Sequence, residues 1–158
     1  MQTLNVGAGR TDQEYHAAEE QRRADLLTES KHDANYFFVA AVLAAIGTGI
    51  FLMRLNILVS IGAIDLLSFY GRRLGGEFHA LVMYGAAFAW VAILVGLGFA
   101  AQRGYRWAFL AGLVLYGADM VPLALTISWA SLGVHAFFLL KWYQGQKALQ
   151  DLQEAAAG

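Results

Sequence analysis

The sequence predicts an all-α integral membrane protein, a polytopic bundle of five hydrophobic helices preceded by a polar N-terminal helix. Two observations predict it. First, Tyr36–Met53, Phe78–Ala101 and, apart from Asp119, Trp107–Leu140 carry no Asp, Glu, Lys or Arg. A helix rising about 1.5 Å per residue crosses a hydrocarbon layer about 30 Å thick in about 20 apolar residues, so such stretches are too long and too apolar for a soluble core. Second, 58% of the 158 residues are hydrophobic, so a chain with one domain's worth of length shares its core with lipid.

Four segments follow from this pattern: a flexible N-terminus over 1–10, a polar cytosolic or interfacial helix over 11–34, a transmembrane bundle over 35–144 and a polar tail over 145–158. The first 35 residues hold no apolar run behind a basic start, which reads against a cleavable signal peptide. Thr11 and Glu14 form a capping box, each side chain satisfying a free backbone N–H, so a helix is expected from Asp12. Glu19 and Glu20 lie four and three residues before Arg23, spacings that support the helix through ion pairing. Leu26 and Leu27 beside Arg22 and Arg23 suit solvent, a headgroup surface or a docking partner.

Tyr36–Met53 supplies the first span. Leu55–Tyr70, headed by Arg54 and Asn56, is short, so the alternative is four spans plus one short re-entrant helix. Phe78–Ala101 is a full span that closes before Gln102-Arg103-Gly104. Trp107–Tyr143 exceeds one crossing and breaks into two helices near residue 127, close to Pro122, Thr126, Ser128 and Trp129. Trp107, Trp129, Trp142 and Tyr143 then serve as interfacial anchors.

Counting Lys and Arg near the spans, five crossings give a tie. Arg22, Arg23, Lys31, Arg72 and Arg73 face Arg54, Arg103, Arg106, Lys141 and Lys147. With the short helix returning to its own side, the split becomes seven against three and places both termini in the cytoplasm, in a cytoplasmic (inner) membrane. Small residues mark close helix approach: Ala40, Ala44 and Thr48; Ala41, Ala45 and Gly49; Gly85 with Ala89; Ala92 with Gly96. Packing within the bundle is their expected use and a homo-oligomer seam the alternative. Ile61–Asp65 weakly echoes Leu115–Asp119, each followed by a His, at His79 and His135.

A charge buried in a bilayer costs about 2.5–3.5 kcal/mol on insertion scales, so the intramembrane acids are the candidate site. Asp119 and His135 lie eight residues on either side of the proposed turn, both about 12 Å deep by helical rise, within reach of a hydrogen bond between neighbouring helices. Ser128, Ser131 and His135 share one stripe, and Tyr116, Asp119, Leu123 and Thr126 share the facing one. Pro122 frees a backbone carbonyl there. Asp65 is the second acid, with Arg54, Asn56 and Arg72 as structural ion-pair candidates, while Glu77 and His79 are expected at the interface.

Composition narrows the function. Net charge is −1 and no basic stripe is interleaved with aromatics, so nucleic acid is not expected as a partner. The absence of Cys removes disulfides, thiolate metal sites and cysteine nucleophiles together. No catalytic, P-loop or dinucleotide signature occurs, no cofactor is expected, and haem ligation by His79 and His135 is geometrically awkward. The reading that follows is a channel or ion- or proton-coupled transporter, with Asp65, Asp119, His135, Ser131, Ser128 and Tyr116 as pathway candidates; the alternative is a non-transporting scaffold or accessory subunit of a larger membrane complex, held by the same groups. The expected partners are the lipid bilayer and a second copy or a membrane complex.

Overall fold

The computed structural model describes residues 12–52, 77–125 and 129–157. The N-terminal 1–10, Thr11 of the capping box, Leu55–Tyr70 with Arg54, Asn56, Asp65 and Arg72, and Thr126 and Ser128 at the expected break all lie outside the described residues. The described residues form four helices and no strand, bearing out the all-α class.

Helix α1 spans Asp12–Leu52, α2 Glu77–Gln102, α3 Arg106–Leu125 and α4 Trp129–Ala157. Residues 12–46 contain neither Gly nor Pro, so nothing interrupts α1 where its polar first half meets its apolar second half. Helix α2 ends at Gln102 and is capped by Gly104, which adopts the left-handed conformation at φ 83°. The Gly104 N–H reaches the Ala101 carbonyl at 2.9 Å and the Tyr105 N–H the Ala100 carbonyl at 3.1 Å, the paired bonds of a Schellman cap. A three-residue connection then turns the chain directly into α3.

Each helix packs on its two neighbours in the ring α1, α2, α3, α4. All neighbours are antiparallel. Gln102 donates to Asn35 at 2.9 Å and Phe99 meets Phe38 edge-on, setting α2 against α1. Tyr36 meets Phe137 edge-on, and Arg23 donates to the Ala155 carbonyl in the last turn of α4 at 2.6 Å. The N-terminal half of α1, the α2–α3 turn and the C-terminal half of α4 therefore share one end, and Leu52 and Glu77 share the other.

The centre is aromatic. Phe37 stacks on Trp142 with centroids 4.1 Å apart and 7° between planes, and Phe109 and Phe138 pack around them. Room for the stack comes from Gly112, where a Cβ would stand 2.5 Å from the Phe37 ring. Gly145 does the same for Phe109, whose ring would lie 2.6 Å from an added Cβ. Trp142 is thus a core residue with no exposed surface rather than an interfacial anchor, because its face of α4 points at α1 and α3; Trp107, Trp129 and Tyr143 are exposed.

The small residues divide. Ala40, Ala41 and Ala44 are buried and let α1 approach its neighbours, whereas Ala45, Gly85, Ala89, Ala92 and Gly96 face outward. Among the described residues an added Cβ at Gly85 or Gly96 would meet nothing within 4 Å, so that line of α2 does not pack against the other described helices. Large apolar side chains also point outward on every helix, among them Val42, Phe88, Val114 and Leu140. Among the described residues one stretch, Gly85–Gln102, is long and apolar enough to cross a membrane, with mean hydropathy 1.7 over 18 residues. A five-span count is not supported by them.

Candidate functional site: the buried Asp119–His135 pair

Asp119 on α3 and His135 on α4 meet as the sequence spacing predicts. The His135 Nε2 lies 2.9 Å from the Asp119 Oδ2, and its Nδ1 lies 2.8 Å from the Ser131 backbone carbonyl one turn earlier. His135 has no exposed surface and Asp119 retains 9%. Antiparallel packing of α3 on α4 puts the two at one level, and the turn preceding each supplies the surroundings. Tyr116, three residues before Asp119, lays its ring 4.7 Å from the His135 ring at 34°. Ser131, four residues before His135, is itself buried.

The hydrogen-bond inventory fixes the tautomer. A carbonyl oxygen only accepts, so Nδ1 carries a hydrogen and donates it to Ser131. The Nε2–Oδ2 contact then needs one proton, carried either by the imidazole as a donor to a carboxylate or by the carboxyl as a donor to the bare Nε2. Both forms have zero net charge, which suits a site nearly closed to water. Both ring nitrogens are engaged by the bundle itself.

Around the pair, Trp90 on α2 stacks over Tyr116 with centroids 6.1 Å apart, and Trp142 meets the Tyr116 ring edge-on at 4.7 Å. The Tyr116 hydroxyl and the indole nitrogens of Trp90 and Trp142 are buried without a hydrogen-bond partner among the described residues. Of the sequence-predicted site, Asp119, His135, Ser131 and Tyr116 come together, while Ser128, Asp65, Arg54, Asn56 and Arg72 fall outside the described residues. Pro122 lies within α3, which continues to Leu125. Among the described residues no three His, Asp or Glu side chains gather as metal ligands.

Sequence reasoning missed Asp33. This residue of the polar half of α1 is 2% exposed, with its Oδ1 3.7 Å from the Lys141 Nζ and its Oδ2 buried without a hydrogen-bond partner among the described residues. Burial pushes its carboxyl above the usual carboxylate range, and the Lys141 charge opposes that rise. Lys141 also donates to Gln144 at 2.9 Å and stands 5.6 Å over the Tyr36 ring. The signal was the inward stripe of α1, because stepping back from Ala44, Ala40 and Phe37 by three or four residues reaches Asp33 and Ser30, both buried. The expected Glu19–Arg23 ion pair forms at 2.9 Å on the exposed stretch before it.

The chain matches no protein-family model, no curated protein and no solved structure.

Proposed function

We propose that the chain is a small integral membrane bundle of four spans that acts as a non-transporting scaffold or accessory subunit, with Asp119–His135 as the staple between its last two helices. The observation that carries this reading is the commitment of both His135 ring nitrogens to bonds inside the bundle, one to Asp119 and one to Ser131. A conducting group exchanges partners with water or an ion, and this imidazole has neither nitrogen to spare.

Three features support the membrane setting, proposed as a cytoplasmic (inner) membrane. Large apolar side chains point outward on all four helices, a surface that a water-soluble bundle would have to cover. One stretch of α2 is long and apolar enough to cross. Leu52 and Glu77 share one end of the bundle, as four crossings with a short returning segment require. The partner expected from the sequence, a second copy or a larger membrane complex, belongs to the same proposal.

The rival reading, a channel or ion- or proton-coupled transporter, is favoured by the proton that the Asp119–His135 contact must hold. Proton and cation flux in proteoliposomes separates the two, comparing the unmodified chain with Asp119→Asn. An asparagine amide still donates to Nε2 but holds no exchangeable acid proton. The scaffold reading expects no flux from either protein. Flux from the unmodified chain that Asp119→Asn abolishes, with the fold intact, would overturn it in favour of transport.

A further inference from the structure

We infer that the end of the bundle bearing the α2–α3 turn is its cytoplasmic face, seated at the phospholipid headgroups by a collar of aromatic and basic side chains. The inference rests on the membrane reading above; to the orientation that the Lys and Arg count favours from sequence, it adds the common end on which the helices gather those residues and the collar that seats it. The described residues contain seven Lys and Arg side chains, and every one lies toward this end: Arg22, Arg23 and Lys31 on α1, Arg103 in the turn, Arg106 heading α3, and Lys141 and Lys147 on α4. The antiparallel ring gathers them, since three stretches far apart in sequence, 22–31, 103–106 and 141–147, are brought together by Gln102–Asn35, Arg106–Gln150 and Lys141–Asp33.

Four basic residues remain, and they do not reverse the bias: Arg10 precedes α1, outside the described residues. Arg54, Arg72 and Arg73 fall between Leu52 and Glu77, outside the described residues; assigning all three to the opposite end leaves seven against three. Acids also crowd the turn-bearing end, including Asp25, Glu29, Asp151 and Glu154. Orientation follows Lys and Arg near the spans, because they resist translocation while Asp and Glu contribute little.

The collar marks the depth. Tyr105, Trp107 and Tyr143 are exposed beside Arg103, Arg106 and Lys147, at the border between the outward apolar surface and the polar halves of α1 and α4. Amphipathic rings settle at headgroup level, with basic side chains reaching the phosphates. Helix α2 keeps this border sharp: its apolar stretch ends at Gln102, and the Gly104 cap turns the chain at once.

The chain has no Cys, so a single introduced one reports alone. Gln21→Cys on α1 and Gln144→Cys on α4 place a thiol at exposed positions of this end. In intact cells a membrane-impermeant maleimide is expected to leave both unlabelled, and permeabilisation to label both. Labelling of either in intact cells overturns the orientation. Recovery of the unmodified chain in the soluble fraction would instead defeat the membrane reading itself, a separable failure.

Discussion

The Phe37 and Trp142 rings lie face to face, 4.1 Å apart, joining α1 to α4 at the centre of the bundle. Neither ring has exposed surface, and Phe109, Phe138 and Tyr116 close around them. Removing the smaller partner leaves a cavity that rigid neighbouring helices cannot fill. Phe37→Ala is therefore expected to cost about 3–5 kcal/mol, read as a lower midpoint of thermal unfolding in detergent.

The stack depends on a missing side chain. Gly112→Ala places a methyl group 2.5 Å from the Phe37 ring, so the ring must move and the stack with it. The expected cost is about 1–3 kcal/mol. Gly96→Ala is the matched control, since nothing lies within 4 Å of its added Cβ. That variant should be neutral or more stable by up to about 1 kcal/mol through helix propensity. Equal losses from both substitutions would contradict the packing described.

Asp119 and His135 should behave as one unit. Asp119→Ala leaves the buried Nε2 of His135 without its carboxylate, and His135→Ala strands the acid, so each single change is expected to cost about 2–4 kcal/mol. The double variant should cost less than the sum, with a coupling of about 1–3 kcal/mol in a thermodynamic cycle. Asp119→Asn should be the mildest replacement, because its amide can donate to Nε2 while Nδ1 keeps its bond to Ser131. Additive losses would show that the 2.9 Å contact does not hold the helices together.

Asp33 gives a pH signature of definite sign. Its carboxyl is raised from 3.8 by burial, so the folded chain binds this proton more tightly than the unfolded chain does. The resulting stabilisation is complete below the unfolded value and is lost as pH rises through the folded one. Measured against Asp33→Asn, the unmodified protein should gain stability as pH falls from neutral toward 4. Lys141→Met removes the opposing charge and should move that gain to higher pH. A difference between the unmodified protein and Asp33→Asn that does not change with pH would refute the assignment.

The pairing of Asp119 with His135 was legible because helical rise alone sets two residues equidistant from a turn at one depth, and each stripe showed which way its residue faced. Trp142 was misread because composition cannot say which face of a Trp-bearing helix points inward; the neighbouring Phe37, Gly112 and Phe109 decide that, and they come from other helices. Asp33 escaped notice for a related reason. A charged residue in a polar stretch reads as solvated until the apolar stripe beyond it is extended backward. The α2 line of Gly85, Ala89, Ala92 and Gly96 predicted close packing from residue size, yet the ring arrangement turns it outward. Basic residues at three separate places in the sequence acquire a common end only once the helices are known to alternate in direction.

Helix α1 runs for 41 residues without a break, about 60 Å at the usual rise. One covalent rod therefore joins the polar stretch around Tyr15 to the stack at Phe37, with neither Gly nor Pro between them to absorb a bend. Rotation of α1 about its own axis would swing Asp33 away from Lys141 and Phe37 away from Trp142 in the same motion, because the two lie four residues apart on one face of the helix.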